Sequence, residues 1–185
     1  VDAKDFDDAV SLADGPEPGQ VELGVHIADV AAWITPNSKW DKEAKSRSFS
    51  SYLPGMFLPM LPKKLTHLMC LREGVDSFAH SVIFTVREAD GAILSSHRTR
   101  SLIHVTKRLN FDEVQEYIDG KAQPAWEPKL QAMMKRIVPL ARAMRKHRLE
   151  EEHFLQLHTT EIRVLCDEAT KEIKGIVRKT QREAD

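Results

Sequence analysis

Residues 77–106, SFAHSVIFTVREADGAILSSHRTRSLIHVT, carry the clearest structural signal in the chain. Two stretches rich in β-branched and aromatic residues, 77–88 and 92–106, lie on either side of Ala89-Asp90-Gly91. An Asp-Gly pair between such stretches is a strong signal for a tight turn between antiparallel strands. The sequence therefore predicts a long β-hairpin here, with a sheet built around it.

The segments outward from this hairpin predict further strands and several helices. Strands are predicted at residues 9–13, 20–34, 160–166 and 172–178, with a Gly- and Pro-rich turn at 14–19. Helical patterns cover residues 40–48, 112–118 and 128–148. Pro139 lies inside the last pattern and predicts a kink or two abutting helices. The expected fold class is α+β, a largely antiparallel sheet with flanking helices.

Residues 50–64, SSYLPGMFLPMLPKK, contain prolines at positions 54, 59 and 62. Each proline removes a backbone donor and restricts the residue before it, so the pattern predicts an irregular segment rather than a helix or strand. The segment is nevertheless rich in apolar residues and includes Tyr52. An apolar loop of this kind must pack on something, which makes it a candidate for lining a site.

Composition narrows the class of protein. The chain has 185 residues, 42% of them hydrophobic and 30% charged, with a formal net charge of −1. This balance argues against a protein that binds nucleic acid over its whole surface, and leaves either a local channel or no nucleic acid. No apolar run is long enough to span a membrane. Cys70 and Cys166 lack zinc-type spacing and predict two buried thiols, which favours a cytoplasmic protein.

Four aspartates, Asp2, Asp5, Asp7 and Asp8, lie within the first eight residues. Neighbouring carboxylates repel one another, and a hard divalent cation such as Mg²⁺ would offset that repulsion. On an extended segment Asp5 and Asp7 share a face while Asp8 points away, so a twist or bulge is needed for convergence. A solvated acidic loop or a calcium loop is the alternative, although the EF-hand glycine and closing glutamate are missing.

Three motifs then occur in an order that points to one family. They are DAKDFDDA at residues 2–9, LGVHIADV at 23–30 and YLPGMFLPMLP at 52–62. The chain thereby resembles the catalytic domain of the ribonuclease II/ribonuclease R family, and HIADV is closer to ribonuclease R. Weaker similarity covers residues 108–114 and 155–165. The resemblance implies that residues 1–185 form the N-terminal part of an RNB-type catalytic domain, truncated at both ends.

The same resemblance implies an activity and its residues. Members hydrolyse single-stranded RNA from the 3′ end to 5′-mononucleotides, using water activated by Mg²⁺. By similarity, Asp5, Asp7 and Asp8 are the catalytic and metal-binding residues. A fourth family aspartate would precede Val1, and Asp2 does not replace it. Tyr52 and Phe111 match aromatic residues that bind the substrate, although Phe111 stands where family members often have tyrosine.

Other residues are given lesser roles. His26 is expected to be structural, and Asp29, near a strand end, could reach the site but is not expected to be catalytic. Four basic residues are expected to contact phosphates or water: Arg98, Arg100, Lys107 and Arg108. Flanking cold-shock and S1 domains are expected in the full-length protein, and the chain alone is expected to be nearly inactive. The alternatives are a catalytically inactive RNA-binding member of the same family and an unrelated divalent-cation-binding structural module.

Overall fold

The computed structural model describes residues 6–53, 56–121, 125–152, 155, 161–167, 170, 172–179 and 182–184. Its elements, in chain order, are β1 (Asp8–Asp14), β2 (Gln20–Ala28), a 3₁₀ turn (Val30–Ala32), α1 (Lys39–Arg47), β3 (Ser51–Leu53), β4 (Met56–Leu58), α2 (Lys63–Met69), β5 (Asp76–Arg87), β6 (Ile93–His104), α3 (Phe111–Ile118), α4 (Pro128–Glu150), β7 (Glu161–Cys166) and β8 (Ile173–Lys179). The chain divides into two compact units.

The first unit comprises residues 1–29, 70–156 and 184 and contains a four-stranded sheet in the order β1-β2-β5-β6. All three pairings are antiparallel. The predicted hairpin is confirmed as β5 and β6, which pair from Asp76↔His104 to Val86↔Ile93 with a bulge at Thr85/Val86. The predicted α+β class, with a largely antiparallel sheet, is confirmed.

The core of this unit lies between one face of the sheet and α4. Val21, Val86 and Leu140 are almost completely buried there. Four partly buried residues pack around them: Leu12, Leu23, Phe84 and Met144. Because strand side chains alternate between faces, residues 21 and 23 point to the same side as residues 84 and 86. Each fully buried aliphatic side chain contributes about 1.5–3 kcal/mol relative to its exposed state.

Helix α4 begins with Pro128 at its first turn and continues through Pro139 to Glu150. The expectation of two abutting helices was therefore wrong. Pro139 is exposed, while Met134 and Leu140 are buried. A carbonyl group that loses its helical partner on the exposed side can be hydrated, so burial of the opposite side holds the helix together.

The second unit comprises residues 30–69, 157–183 and 185. Helix α1 is capped by Ser38, whose Oγ accepts a hydrogen bond from the Asp41 backbone N–H at 3.3 Å. Strands β3 and β4 form a short antiparallel hairpin. Strands β7 and β8 form another, which confirms the hairpin predicted at 160–166 and 172–178 to within one residue.

Two predicted boundaries were wrong. The strand expected over residues 20–34 ends at Ala28, after which the Asp29 backbone N–H donates to Phe78 O at 2.9 Å. The segment 50–64, expected to be irregular, contains β3, β4 and the start of α2. Pro59 follows β4 and Pro62 precedes α2, where a missing N–H costs little, and Pro54 lies outside the described residues.

Cys70 is buried and Cys166 is half-buried, and the two are not joined by a disulfide bond. The prediction of a buried thiol is thus confirmed for Cys70 and only partly for Cys166. None of the helices in the described ranges combines the length and apolar character needed to cross a membrane.

Candidate functional site

The acidic segment enters the sheet immediately before β1, and its backbone is held from two sides. Phe6 O accepts a hydrogen bond from Leu71 N at 2.7 Å, and Asp7 O accepts one from Ala28 N at 2.9 Å. Asp8 then begins β1 opposite Ile27. The backbone around Asp7 and Asp8 is therefore held by Leu71, in the segment before β5, and by Ile27 and Ala28 of β2.

The ring of Phe6, the residue between Asp5 and Asp7, packs under Arg108. The guanidinium carbon lies 4.4 Å from the ring centroid, within the range of a cation–π interaction. The Arg108 backbone N–H donates to Glu73 Oε2 at 2.8 Å, and Lys107 Nζ lies 3.5 Å from Glu73 Oε1. The backbone hydrogen bond from Arg108, followed by the charge of Lys107, lowers the pKa of the Glu73 carboxyl.

Asp7 and Asp8 are both exposed and lie at the start of β1, an edge strand. Adjacent carboxylates offer hard oxygen ligands, which suit Mg²⁺ rather than a soft transition metal. These two residues therefore fit the predicted ion in donor chemistry. Asp2 and Asp5 lie outside the described residues, and within the described ranges no three His, Cys, Asp or Glu side chains form a group that could hold a metal.

His26 lies on the opposite face of the sheet from the α4 core and is 7% exposed. Its Nε2 atom is 2.9 Å from Ser11 Oγ and its Nδ1 atom is 2.6 Å from Ser81 Oγ. Burial lowers the pKa of His26, which favours the neutral imidazole at neutral pH. Placement between two hydroxyls within the sheet is consistent with the structural role predicted for His26.

Asp29 is also buried, with a side chain only 2% exposed. Its Oδ2 atom accepts hydrogen bonds from Arg100 Nε at 3.0 Å and Nη2 at 2.8 Å. His80 Nε2 lies 3.5 Å from Oδ1. Arg100, expected to contact phosphate or water, thus holds a buried carboxylate. No local feature of the sequence indicates this pair, because Asp29 follows β2 and Arg100 lies in β6.

The two aromatic residues predicted to bind substrate are both exposed. Phe111 is the first residue of α3 and is 54% exposed. A capping box formed by Asn110 and Glu113 fixes the start of that helix. Tyr52 in β3 is 74% exposed, and its ring stacks on Phe57 with 4.8 Å between centroids. Each ring therefore presents a surface on which a base can stack.

An α+β fold, two adjacent exposed aspartates at the start of an edge strand and two exposed aromatic rings are features that suit a protein acting on nucleic acid. The chain belongs to the RNB domain family, whose model matches residues 1–185. The membership inferred from the three motifs is thereby confirmed, and the unrelated cation-binding module is excluded.

Comparisons with individual proteins support the same family. The chain is 48% identical over 121 residues to ribonuclease R of Chlamydia trachomatis, an alignment that covers 64% of this chain and 17% of that protein. Its fold matches that of RNase R of Mycoplasma genitalium, which was solved in complex with ribose-methylated single-stranded RNA. The TM-score is 0.89 and the sequence identity is 24%, and the match covers 98% of this chain and 28% of that one.

A more distant fold match is yeast Ssd1, described as a pseudonuclease, with a TM-score of 0.65 and 23% identity over 77% of this chain and 17% of that one. The chain thus spans less than a third of the length of each of these three proteins.

Proposed function

We propose that the chain is the metal-binding part of the catalytic domain of a 3′→5′ exoribonuclease that hydrolyses single-stranded RNA to 5′-mononucleotides. The observation that carries the proposal is the pair of exposed carboxylates, Asp7 and Asp8, whose backbone is fixed at the start of β1. Similarity to proteins named ribonuclease R supports the same reaction. Because the chain spans 17% of that relative, the activity is proposed for the longer protein that contains it.

Asp7 and Asp8, together with Asp5, are the residues that would hold the metal. Exoribonucleases of the RNB family depend on divalent metals in general, and we propose Mg²⁺ because the donors are carboxylates. When bound, such an ion lowers the pKa of water and stabilises charge on a phosphodiester. The chain itself holds the carboxylates in place through the backbone of Phe6 and Asp7.

Tyr52 and Phe111 are proposed to stack on bases of the RNA. Every base has an aromatic face, so stacking grips a strand without reading its sequence, as a processing exonuclease requires. Both rings have the exposure that such contacts need. For the parent protein we also propose flanking cold-shock and S1 domains, which bind single strands, and a cytoplasmic location consistent with two free thiols.

The test is replacement of Asp7 or Asp8 by Asn in the intact protein. Each variant is expected to lose at least about 100-fold in the rate of mononucleotide release, since a metal-ligating charge is removed. RNA affinity, measured by fluorescence anisotropy, is expected to stay near that of the wild type. Asp14→Asn is the matched control, because Asp14 is an exposed aspartate at the far end of the same strand.

Retained mononucleotide release in Asp7→Asn and Asp8→Asn would contradict the proposed site. A wild-type protein that binds single-stranded RNA but releases no nucleotide under any divalent cation would instead identify a catalytically inactive family member.

A further inference from the structure

A row of four hydrogen-bonded side chains crosses the whole sheet on the face opposite the α4 core. Each strand contributes one member: Ser11 from β1, His26 from β2, Ser81 from β5 and Ser101 from β6. The Ser81 and Ser101 hydroxyls lie 2.5 Å apart, and Ser101 Oγ donates to Ala79 O at 3.4 Å. We refer to these four residues as the polar row.

The backbone around the row leaves space for it at one defined position. Gly24 lies directly opposite Ser11 in the β1–β2 pairing. A Cβ atom at Gly24 would overlap Ser11 Oγ and would lie 2.7 Å from His26 Nε2. Any side chain at position 24 would therefore displace the Ser11–His26 contact, so this glycine and the polar row belong together.

A neutral imidazole satisfies every member of the row. If the Ser101 hydroxyl donates to Ala79 O, the Ser81 hydroxyl donates to Ser101 Oγ, and His26 Nδ1–H donates to Ser81 Oγ. His26 Nε2 is then an acceptor, and the Ser11 hydroxyl donates to it. The far end of this directed chain of hydrogen bonds is a residue of β1.

Strand β1 needs such a contact because it is an edge strand of the described sheet and pairs only with β2 there. Backbone hydrogen bonds alone do not distinguish registers that differ by two residues, since the pattern repeats with that period. A slip of two residues would move Asp8 by about 6.8 Å along the strand. Leu12 in the core and Ser11 on the other face are side chains that select the observed register.

We propose that His26 is a positioning residue: by holding Ser11, it fixes the register of β1 and so places Asp7 and Asp8 for metal binding. The inference rests on the proposed function, because it concerns the same carboxylates. His26 does not touch the metal or the RNA in this scheme.

The experiment compares His26→Ala and Ser11→Ala with the wild type in the intact protein. Binding of Mn²⁺ in the absence of RNA is measured from the electron paramagnetic resonance signal of the free ion, and kcat and KM are measured separately. Both variants are expected to bind Mn²⁺ roughly 10-fold more weakly and to lose about 10–100-fold in kcat, with KM for RNA unchanged within about twofold. The double variant is expected to be no worse than His26→Ala, because both changes break one contact.

Ser95→Ala is the matched control. Ser95 Oγ donates to Thr85 Oγ1 at 3.0 Å between β5 and β6, so its loss removes a serine hydrogen bond from the same sheet without touching β1. Wild-type Mn²⁺ affinity and kcat are expected for this variant. Ser11 is exposed, so Ser11→Ala decides the matter if His26→Ala does not fold.

Asp7→Asn separates the two levels of the proposal. If Asp7→Asn loses Mn²⁺ binding and turnover while His26→Ala and Ser11→Ala keep both, the positioning role is overturned and the proposed function stands. If Asp7→Asn also binds Mn²⁺ and turns over like the wild type, the proposed function itself fails.

Discussion

At the scale of single residues, the Asp29–Arg100 ion pair is asymmetric. The carboxylate is 2% exposed, whereas the guanidinium side chain is 66% exposed. Removing the arginine leaves a buried charge, with His80 Nε2 at 3.5 Å as a remaining neighbour. Removing the aspartate charge instead leaves an arginine that water can solvate. The two halves of the pair therefore contribute unequally to folding.

We expect Arg100→Ala to lower the free energy of unfolding by about 3 kcal/mol, and Asp29→Asn to lower it by only about 1 kcal/mol. Urea titrations followed by tryptophan fluorescence give both values. Arg98→Ala is the control, because Arg98 is an exposed arginine two residues earlier in β6. Equal losses for the two halves of the pair would contradict the asymmetry.

His26 makes stability depend on pH. Burial lowers the pKa of His26 below its ordinary value of 6.5, so the unfolded chain binds a proton at a higher pH than the folded chain does. The stabilisation is therefore complete above pH 6.5 and is lost as the pH falls through the lower pKa of the folded state. Urea midpoints measured between pH 5 and 8 should fall more steeply on acidification in the wild type than in His26→Gln. Parallel curves would refute this linkage.

Tyr52 provides a test of stacking. Loss of one base–aromatic stack costs about 1–3 kcal/mol, so Tyr52→Ala is expected to raise KM for single-stranded RNA by about 5–100-fold. Tyr52→Phe keeps the ring and should behave like the wild type. Phe49→Ala serves as the control, since Phe49 is a 68% exposed aromatic residue outside the β3–β4 hairpin. Equal changes in KM for Tyr52→Ala and Phe49→Ala would argue against a specific stack.

Residue types were easier to predict than contacts. The aspartates at positions 7 and 8 follow from their spacing and from the family motif, and the structure places both on the surface. Phe6 and Arg108 lie far apart in the sequence, and they meet because both segments are bonded to the residues before β5: Leu71 N donates to Phe6 O, and Arg108 N donates to Glu73 Oε2. No local pattern carries that information.

At the scale of elements, the β5–β6 turn illustrates how tightly a predicted hairpin can be fitted to its neighbour. Gly91 has a φ of +74°. A Cβ atom there would lie 2.5 Å from the Ala143 carbonyl carbon and 2.6 Å from Met144 Cα. Those are backbone atoms of α4, which cannot move aside as the end of a side chain can. Gly91 is thus required both by its conformation and by the close approach of the helix.

Gly91→Ala is expected to destabilise the chain by about 3 kcal/mol or more, because strain and a backbone clash add together. Gly19→Ala measures the cost of backbone strain without a clash, since Gly19 has a φ of +79° with nothing within 4 Å of its Cβ position. That control should cost about 1 kcal/mol. Urea unfolding of both variants gives the difference between their losses of unfolding free energy. Similar losses would show that α4 moves away from position 91 and relieves the clash.

Strands and helices were predicted well where the spacing of apolar residues and the turn residues indicate the same structure, as in β5–β6 and β7–β8. The predictions were wrong where prolines or a long apolar run allowed more than one interpretation. Residues 50–64 contain short strands, and Pro59 and Pro62 fall between elements instead of within them. The apolar run after Ala28 does not continue β2 and forms a 3₁₀ turn at Val30–Ala32 instead.

At the scale of the whole molecule, the chain corresponds to only part of the length of its relatives. It spans 17% of ribonuclease R from Chlamydia trachomatis. We expect residues 1–185 alone to release mononucleotides at least about 100-fold more slowly than a longer protein containing them, because active sites depend on groups held in place together. Assays of both proteins at equal Mg²⁺ and RNA concentrations measure the ratio. Comparable rates would show that these residues hold a complete site.

Cys70 lies beside Leu71, whose backbone N–H holds the carbonyl group of Phe6. Cys70 as a whole is 3% exposed. A maleimide can therefore reach this thiol only when the chain around Cys70 opens locally. The rate of alkylation at Cys70, measured by mass spectrometry of the labelled peptide, therefore reports how readily this opening occurs. The half-buried thiol of Cys166 gives a second labelling rate within the same sample.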